Sequence, residues 1–409
     1  MTDRIPLSRR ADAMPASPIR RLAPFAVEAA RAGKTVYALN IGQPDIATPR
    51  EILDRLRDFP DRYVPYGPSQ GIPEFVDALR AYYASLGIAV EPSELFVTNG
   101  GSEAIVFTFA VLCDPGDQVV VFEPFYTNYS GFATEMGVEL TPVATRAEDG
   151  YHLPPRAAIE SRIGPRTKAL LVCSPNNPTG TVYTDAELDT LASICRERGL
   201  WLVADEVYRE FVYDGAKHRS VLTLPGLERR TVVVDSVSKR YSLCGARLGN
   251  LVCREPRFMD AVLRFGQARL CASTLAQWAC AGLTQVPAGY LAGVIAEYQN
   301  RRDVVLESLA HVPGIVVRKP EGAFYVCARL PVDDANRFAE FLLREFSLEG
   351  ETVMVAPADG FYATPGLGRD EIRIAYVLEE PKLRRAMRVL EAALAAYPGR
   401  RAPGPVVPV

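Results

Sequence analysis

Six short, nearly continuous apolar runs punctuate the middle of this 409-residue chain, each separated from the next by a longer amphipathic stretch. They fall at residues 95–98, 118–122, 169–173, 201–204, 231–235 and 250–253. Strands apolar on both faces must be covered on both faces, and helices between them supply that cover. The pattern therefore predicts an α/β fold with a mostly parallel sheet between helical layers. One helix start is legible in detail. Thr184 and Glu187 have capping-box spacing just before Leu188, Leu191 and Ile194.

Beyond Tyr290 the texture changes to a long charged helical pattern through Tyr298-Gln299-Asn300-Arg301-Arg302, then to an α+β stretch ending near Tyr397. This predicts a large domain over 51–290 and a smaller α+β domain built from 1–50 with 291–397. The proline- and arginine-rich tail, 398–409, has no period and is expected to add nothing to a core.

The net charge is −3 with both signs interspersed, so neither nucleic acid nor an acidic membrane surface is an expected partner. No apolar run reaches the roughly 20 residues that span a bilayer. Met1 to Arg10 carry charge with no apolar segment after them, unlike a secretory leader. The eight cysteines show no CxxC spacing. Cys113, Cys173, Cys253 and Cys327 lie in apolar runs and read as small buried hydrophobes in a reducing cytoplasm. His152, His218 and His311 have no ligand spacing, so no metal is expected. Gly67-Pro68-Ser69-Gln70-Gly71 matches G-x-S-x-G by letters, but no apolar strand leads into it.

The most informative residue is a lysine. Lys239 follows the run Thr231 to Val234, which places it just past a strand's C-terminal end, where open parallel sheets keep their ligand crevice. The other five, Lys34, Lys168, Lys217, Lys319 and Lys382, have no comparable setting; Lys168 opens its strand on the wrong side. Desolvation and neighbouring positive charge let such a lysine lose its proton and condense with an aldehyde.

The segment Ser236-Val237-Ser238-Lys239-Arg240-Tyr241-Ser242-Leu243-Cys244-Gly245-Ala246-Arg247 resembles the lysine motif of fold-type I pyridoxal-phosphate enzymes, specifically the class I/II aminotransferases. The resemblance extends in family order through Ile41-Gly42-Gln43-Pro44-Asp45, Tyr66 with Gly71, and Gly100-Gly101-Ser102-Glu103-Ala104. It continues through Ser174-Pro175-Asn176-Asn177-Pro178-Thr179-Gly180, Asp205-Glu206-Val207-Tyr208 and Glu371-Ile372-Arg373-Ile374. It covers residues 15 to 395 or so and implies a seven-stranded-type, mostly parallel sheet with pyridoxal 5'-phosphate as cofactor.

The resemblance assigns roles that the residue types suit. Gly100, Gly101 and Ser102 open a helix after a strand, and its free N–H groups and dipole favour a phosphate. Ser236, Ser238 and Arg247 would complete that cup. Asp205 would keep the ring nitrogen protonated, while Tyr208 and Asn177 would hydrogen-bond the ring oxygen. Tyr126 would stack on the ring, where aspartate-specific relatives often carry Trp. Tyr66 would reach the phosphate of a neighbouring subunit, which implies a homodimer. Arg373 would grip a substrate α-carboxylate with its planar fork, with Gly42 and Asn177 beside it.

These residues imply a transaminase. Lys239 carries the cofactor and then serves as general base, with Asp205 and Tyr208 as its catalytic partners. An α-amino acid and a 2-oxo acid exchange the amino group in ping-pong order, with aspartate and 2-oxoglutarate the leading pair. Some bacterial aspartate aminotransferases read the second carboxylate with a lysine where this chain has Ser102, so that reader is missing. With Tyr126 this leaves room for aromatic or alanine-type substrates. A pyridoxal-phosphate carbon–sulfur lyase uses the same cofactor residues. A cofactor-sensing regulator would need a DNA-binding unit, and the 40 residues before Ile41 hold no helix-turn-helix pattern or basic stripe.

Overall fold

The computed structural model describes residues 5–402. The first four residues of the stretch read as lacking a leader, and 403–409 of the tail, lie outside the described residues. Strand β1 (Thr35–Ala38) comes first and stands apart from the main sheet. The main sheet contains β2 (Leu95–Thr98), β3 (Gln118–Glu123), β4 (Glu139–Ala144), β5 (Thr167–Cys173), β6 (Trp201–Asp205), β7 (Thr231–Ser236) and β8 (Gly249–Val252). Its order is β2-β8-β7-β6-β5-β3-β4. Only β8 runs against its neighbours, and it does so on both sides, so β2 and β7 point the same way. The C-terminal ends of all the other strands therefore share one edge.

Alternation along each strand builds two cores. Val120, Phe122, Leu170, Val172, Leu202 and Ala204 face one, together with Leu188, Leu191 and Ile194 of the helix Asp185–Arg198. Val119, Val121, Ala169, Leu171 and Val203 face the other, against Ala104, Ile105 and Phe109 of the helix Gly100–Leu112. Each large apolar side chain buried this way contributes about 1.5–3 kcal/mol. The capping box forms as its spacing predicts: the Thr184 hydroxyl accepts from the Glu187 N–H at 3.3 Å, and Glu187 accepts from the Thr184 N–H at 2.7 Å.

The remaining strands form two small sheets. β1 pairs in parallel with β11 (Glu351–Met354). The second has the order β12-β13-β10-β9 and is antiparallel, with β9 (Val316–Val317), β10 (Tyr325–Arg329), β12 (Ala356–Pro357) and β13 (Glu371–Ala375). The helices Gly289–Ala310 and Glu380–Ala396 pack on each other beside them. In the described part of the tail, Asp333 N–H donates to Gly399 O at 2.9 Å and Arg401 N–H to Pro331 O at 2.8 Å, and residues 398–402 stay outside the core. Cys113 corrects an expectation. Cys173, Cys253 and Cys327 are buried, but Cys113 closes the helix Gly100–Leu112 only half-buried.

No single helix among the described residues is long and apolar enough to cross a membrane; one pair, bent by 94°, passes on length and composition together.

Candidate active site

Three neighbouring strands end at one cleft. The register pairs Cys173 of β5 with Asp205 of β6, and Asp205 with Val234 of β7. Two residues past Val234, β7 gives way to the short helix Val237–Arg240, capped by the Ser236 hydroxyl, which accepts from Ser238 N–H at 3.1 Å. Lys239 thus projects from the first turn after the strand. A cavity of about 380 Å³ opens there, and Lys239, Asp205, Asn177, Tyr208, Arg247 and Arg373 all line it. Gly42, Gly101, Ser102, Tyr126, Ser236 and Ser238 of the predicted set also line it, whereas Gly100 and Tyr66 do not.

The Lys239 ammonium donates to Gly42 O at 2.8 Å and lies 3.8 Å from Cys244 Sγ. Burial pulls its pKa below the ordinary lysine value, with Arg373 and Arg247 adding to that effect and Cys244 opposing it. Gly42 comes this close because it has no side chain: a Cβ there would overlap the Tyr325 hydroxyl. Asp205 is buried, and burial lifts its pKa to about 6 despite the hydrogen bond from Tyr129. The Tyr129 hydroxyl donates to its Oδ2 at 2.8 Å, and Val207 N–H to its Oδ1 at 3.3 Å. Tyr208 is buried with its hydroxyl 2.8 Å from that of Tyr325.

At the other end of the cleft, Gly100 has φ +77° and its missing Cβ would sit 2.5 Å from Arg247 Nη2. Arg247 itself adopts φ 53°, a left-handed conformation that costs a non-glycine residue about 1–2 kcal/mol. The two backbones hold the guanidinium against the start of the helix Gly100–Leu112, whose first N–H groups have no partner within the helix. Ser236 is already engaged, donating to Leu248 O at 2.7 Å and lying 2.7 Å from the Ser238 hydroxyl.

Arg373 lies inside the fold. Every residue of β13 is buried, and Arg373 is 1% exposed. Its Nη1 donates to Asn177 Oδ1 at 3.0 Å, its Nη2 to Asn40 O, and its Nε has no protein partner. Tyr66 is not part of the cavity. It is 81% exposed, beside the exposed Tyr63 and Val64.

Several residues at the site were not singled out by the sequence. Tyr129 stands three places after Tyr126, a spacing that places neighbours on one helical face, and their rings meet edge-on at 5.5 Å. Tyr325 had no comparable signal; it reaches Tyr208 only through the pairing of distant chain segments. Arg20 and Ile19 enter from the N-terminal segment.

The donor set fits pyridoxal 5'-phosphate. A guanidinium beside a helix N-terminus, a buried carboxylate and a part-buried lysine all border one cavity. The model of the aminotransferase class I and II family matches residues 34–390. An aspartate/prephenate aminotransferase of Thermus thermophilus is 33% identical over 389 residues, covering 93% of this chain and 97% of the relative. An aspartate aminotransferase of Geobacillus stearothermophilus is 29% identical over 400 residues, covering 94% and 99%. Among solved structures, aspartate aminotransferase from Thermus thermophilus with maleate superposes with a TM-score of 0.86 at 32% identity, covering 96% of this chain and 100% of that one.

Proposed function

Because this chain belongs to the aminotransferases of class I and II, we propose that it exchanges the amino group of aspartate with 2-oxoglutarate. The enzyme is a pyridoxal-phosphate-dependent transaminase. The proposal is the substrate pair and the role of each residue. One observation carries it: Arg373 lines the cavity that holds Lys239, is buried and oriented by Asn177 and Asn40, and has no protein partner at its Nε. A buried guanidinium with a free donor calls for an anion, and an α-carboxylate matches its fork.

Bound cofactor supplies an electron sink that stabilises the electrons left when the substrate's Cα proton departs. Arg247, Ser236, Ser238 and the turn Gly100-Gly101-Ser102 would hold its phosphate. Asp205 would face the ring nitrogen, Asn177 and Tyr208 the ring oxygen, and Tyr126 the ring face. Lys239, whose proton burial makes easier to lose, would supply the amine that bonds the cofactor and afterwards carry the proton from Cα. Tyr129 holds Asp205 in place, and Arg373 orients Cα toward Lys239 Nζ.

The grouping of β2–β8 in one sheet and of β1 with β9–β13 in two others supports a large cofactor-holding domain at 51–290 and a smaller one from 1–50 with 291–397. A homodimer is proposed because Tyr66 is well placed to serve a partner's site rather than its own. Eight free cysteines suit a cytoplasmic location. Tyr126, Phe132 and Ile105 also line the cavity and favour aromatic substrates as a second class.

The test is kcat/KM for aspartate, alanine, tyrosine, phenylalanine and methionine with 2-oxoglutarate, measured by 2-oxo acid formation. Aspartate should lead. Release of pyruvate from cysteine or cystathionine, with no transamination of any of the five, would make the protein a lyase instead.

A further inference from the structure

The cavity has more positive charge than the chemistry described so far uses. Lys239, Arg247, Arg373 and Arg20 line it, against a single acid, Asp205. In the reading above, which this inference rests on, Lys239 bonds the cofactor, Arg247 meets its phosphate, Asp205 its ring nitrogen and Arg373 the substrate's α-carboxylate. Arg20 remains without a counterpart. We infer that Arg20 reads the second carboxylate of a dicarboxylic substrate, the task for which Ser102 has no charge.

Arg20 is not a stray surface side chain. The Arg20 N–H donates to Ser17 O at 3.2 Å, and the Ala23 N–H donates to Arg20 O at 3.0 Å, so the segment turns directly into the helix Ala23–Arg31. Asn40 ties that turn to the α-carboxylate anchor. Its side-chain amide donates to Ile19 O at 3.1 Å, while its backbone carbonyl accepts from Arg373. One residue thus fixes the segment that carries Arg20 and also holds Arg373. The two neighbouring arginines are used differently. Arg21 donates to Asn336 Oδ1, whereas the Arg20 side chain has no hydrogen bond or ion pair among the described residues. Its charge nevertheless reaches the site. The Tyr126 hydroxyl, pushed up chiefly by burial and then by Asp205, is pulled back by Arg373, Arg247 and Arg20.

A free guanidinium at the mouth and a buried one inside suit a molecule with a carboxylate at each end. Aspartate, glutamate and their 2-oxo acids share that chemistry. An exposed arginine can also turn to solvent when an apolar side chain enters, which lets the same cavity take aromatic substrates.

The test uses the holoenzyme and two unreactive acids of equal carbon number, succinate and butyrate, titrated by calorimetry. Arg20→Leu should weaken succinate about 10-fold or more and leave butyrate within about 2-fold, with Arg20→Lys recovering most of the loss. In turnover, kcat/KM for aspartate should fall by a similar factor while that for alanine holds. Equal changes for succinate and butyrate, or no change in either, would overturn the assignment. Failure of the aminotransferase reading looks different: the unmodified enzyme would then transfer nitrogen from no amino acid to 2-oxoglutarate. Failure of the Arg20 assignment leaves a working transaminase whose dicarboxylate preference survives the substitution.

Discussion

The Tyr129 hydroxyl donates to Asp205 Oδ2 at 2.8 Å across 76 residues of sequence, and it is the side-chain hydrogen bond that holds the carboxylate at the end of β6. Without a cationic partner this carboxylate is costly, because burial opposes its charge more strongly than Tyr129 and Val207 support it. A protonated ring nitrogen would remove that cost, so the site is poised for the cofactor at the expense of the cofactor-free fold.

The first prediction follows from that balance. In the cofactor-free folded protein the Asp205 pKa is raised from 3.8 to about 6. The folded state therefore holds this proton more tightly than the unfolded state, and stability owed to Asp205 falls as pH rises from about 4 through 6. Cofactor-free Asp205→Asn, which mimics the neutral acid, should be more stable than the unsubstituted protein by about 2–3 kcal/mol at pH 8. The advantage should vanish below pH 4 or so. Denaturant titrations at both pH values check this. An equal difference at the two would show that the charge is not the cause.

Arg373→Lys keeps the charge but not the fork that bridges Asn177 and Asn40. We expect kcat/KM for aspartate to fall about 100-fold, mostly through KM, with thermal stability measured alongside to exclude misfolding. A variant with unchanged KM would remove Arg373 from substrate binding.

The dimer is tested by sedimentation, which should give a two-chain mass. Tyr66→Ala should keep that mass while weakening cofactor retention about 10-fold, since an exposed hydroxyl outside the lining of its own cavity would act across an interface. A monomer with full activity at nanomolar concentration would contradict it.

The central strands and the cleft were legible because the same physics writes both. β3, β5, β6, β7 and β8 are buried on both faces and read as nearly continuous apolar runs. The edge strand β4 was missed: it pairs only with β3, and its Glu139, Thr141 and Pro142 blur the apolar signal. Lys239, Asp205 and Asn177 were found because they follow recognisable strands. Arg373 was found by its motif, on a strand that lies wholly buried. Tyr325 and Arg20 escaped because each reaches the cleft from a distant segment. Tyr325 arrives through β10, paired with β13, and Arg20 through a turn whose hold on Asn40 leaves no local pattern.

The account rests on Lys239 as the residue that bonds the cofactor, and reduction of the holoenzyme with borohydride tests it most directly. Peptide mapping by mass spectrometry should place the reduced pyridoxyl group on Lys239 alone, and Lys239→Ala should carry none and lose turnover by several orders of magnitude, as expected when a covalent route is removed. The group on any other of the six lysines, or an adduct that persists in Lys239→Ala, would contradict it.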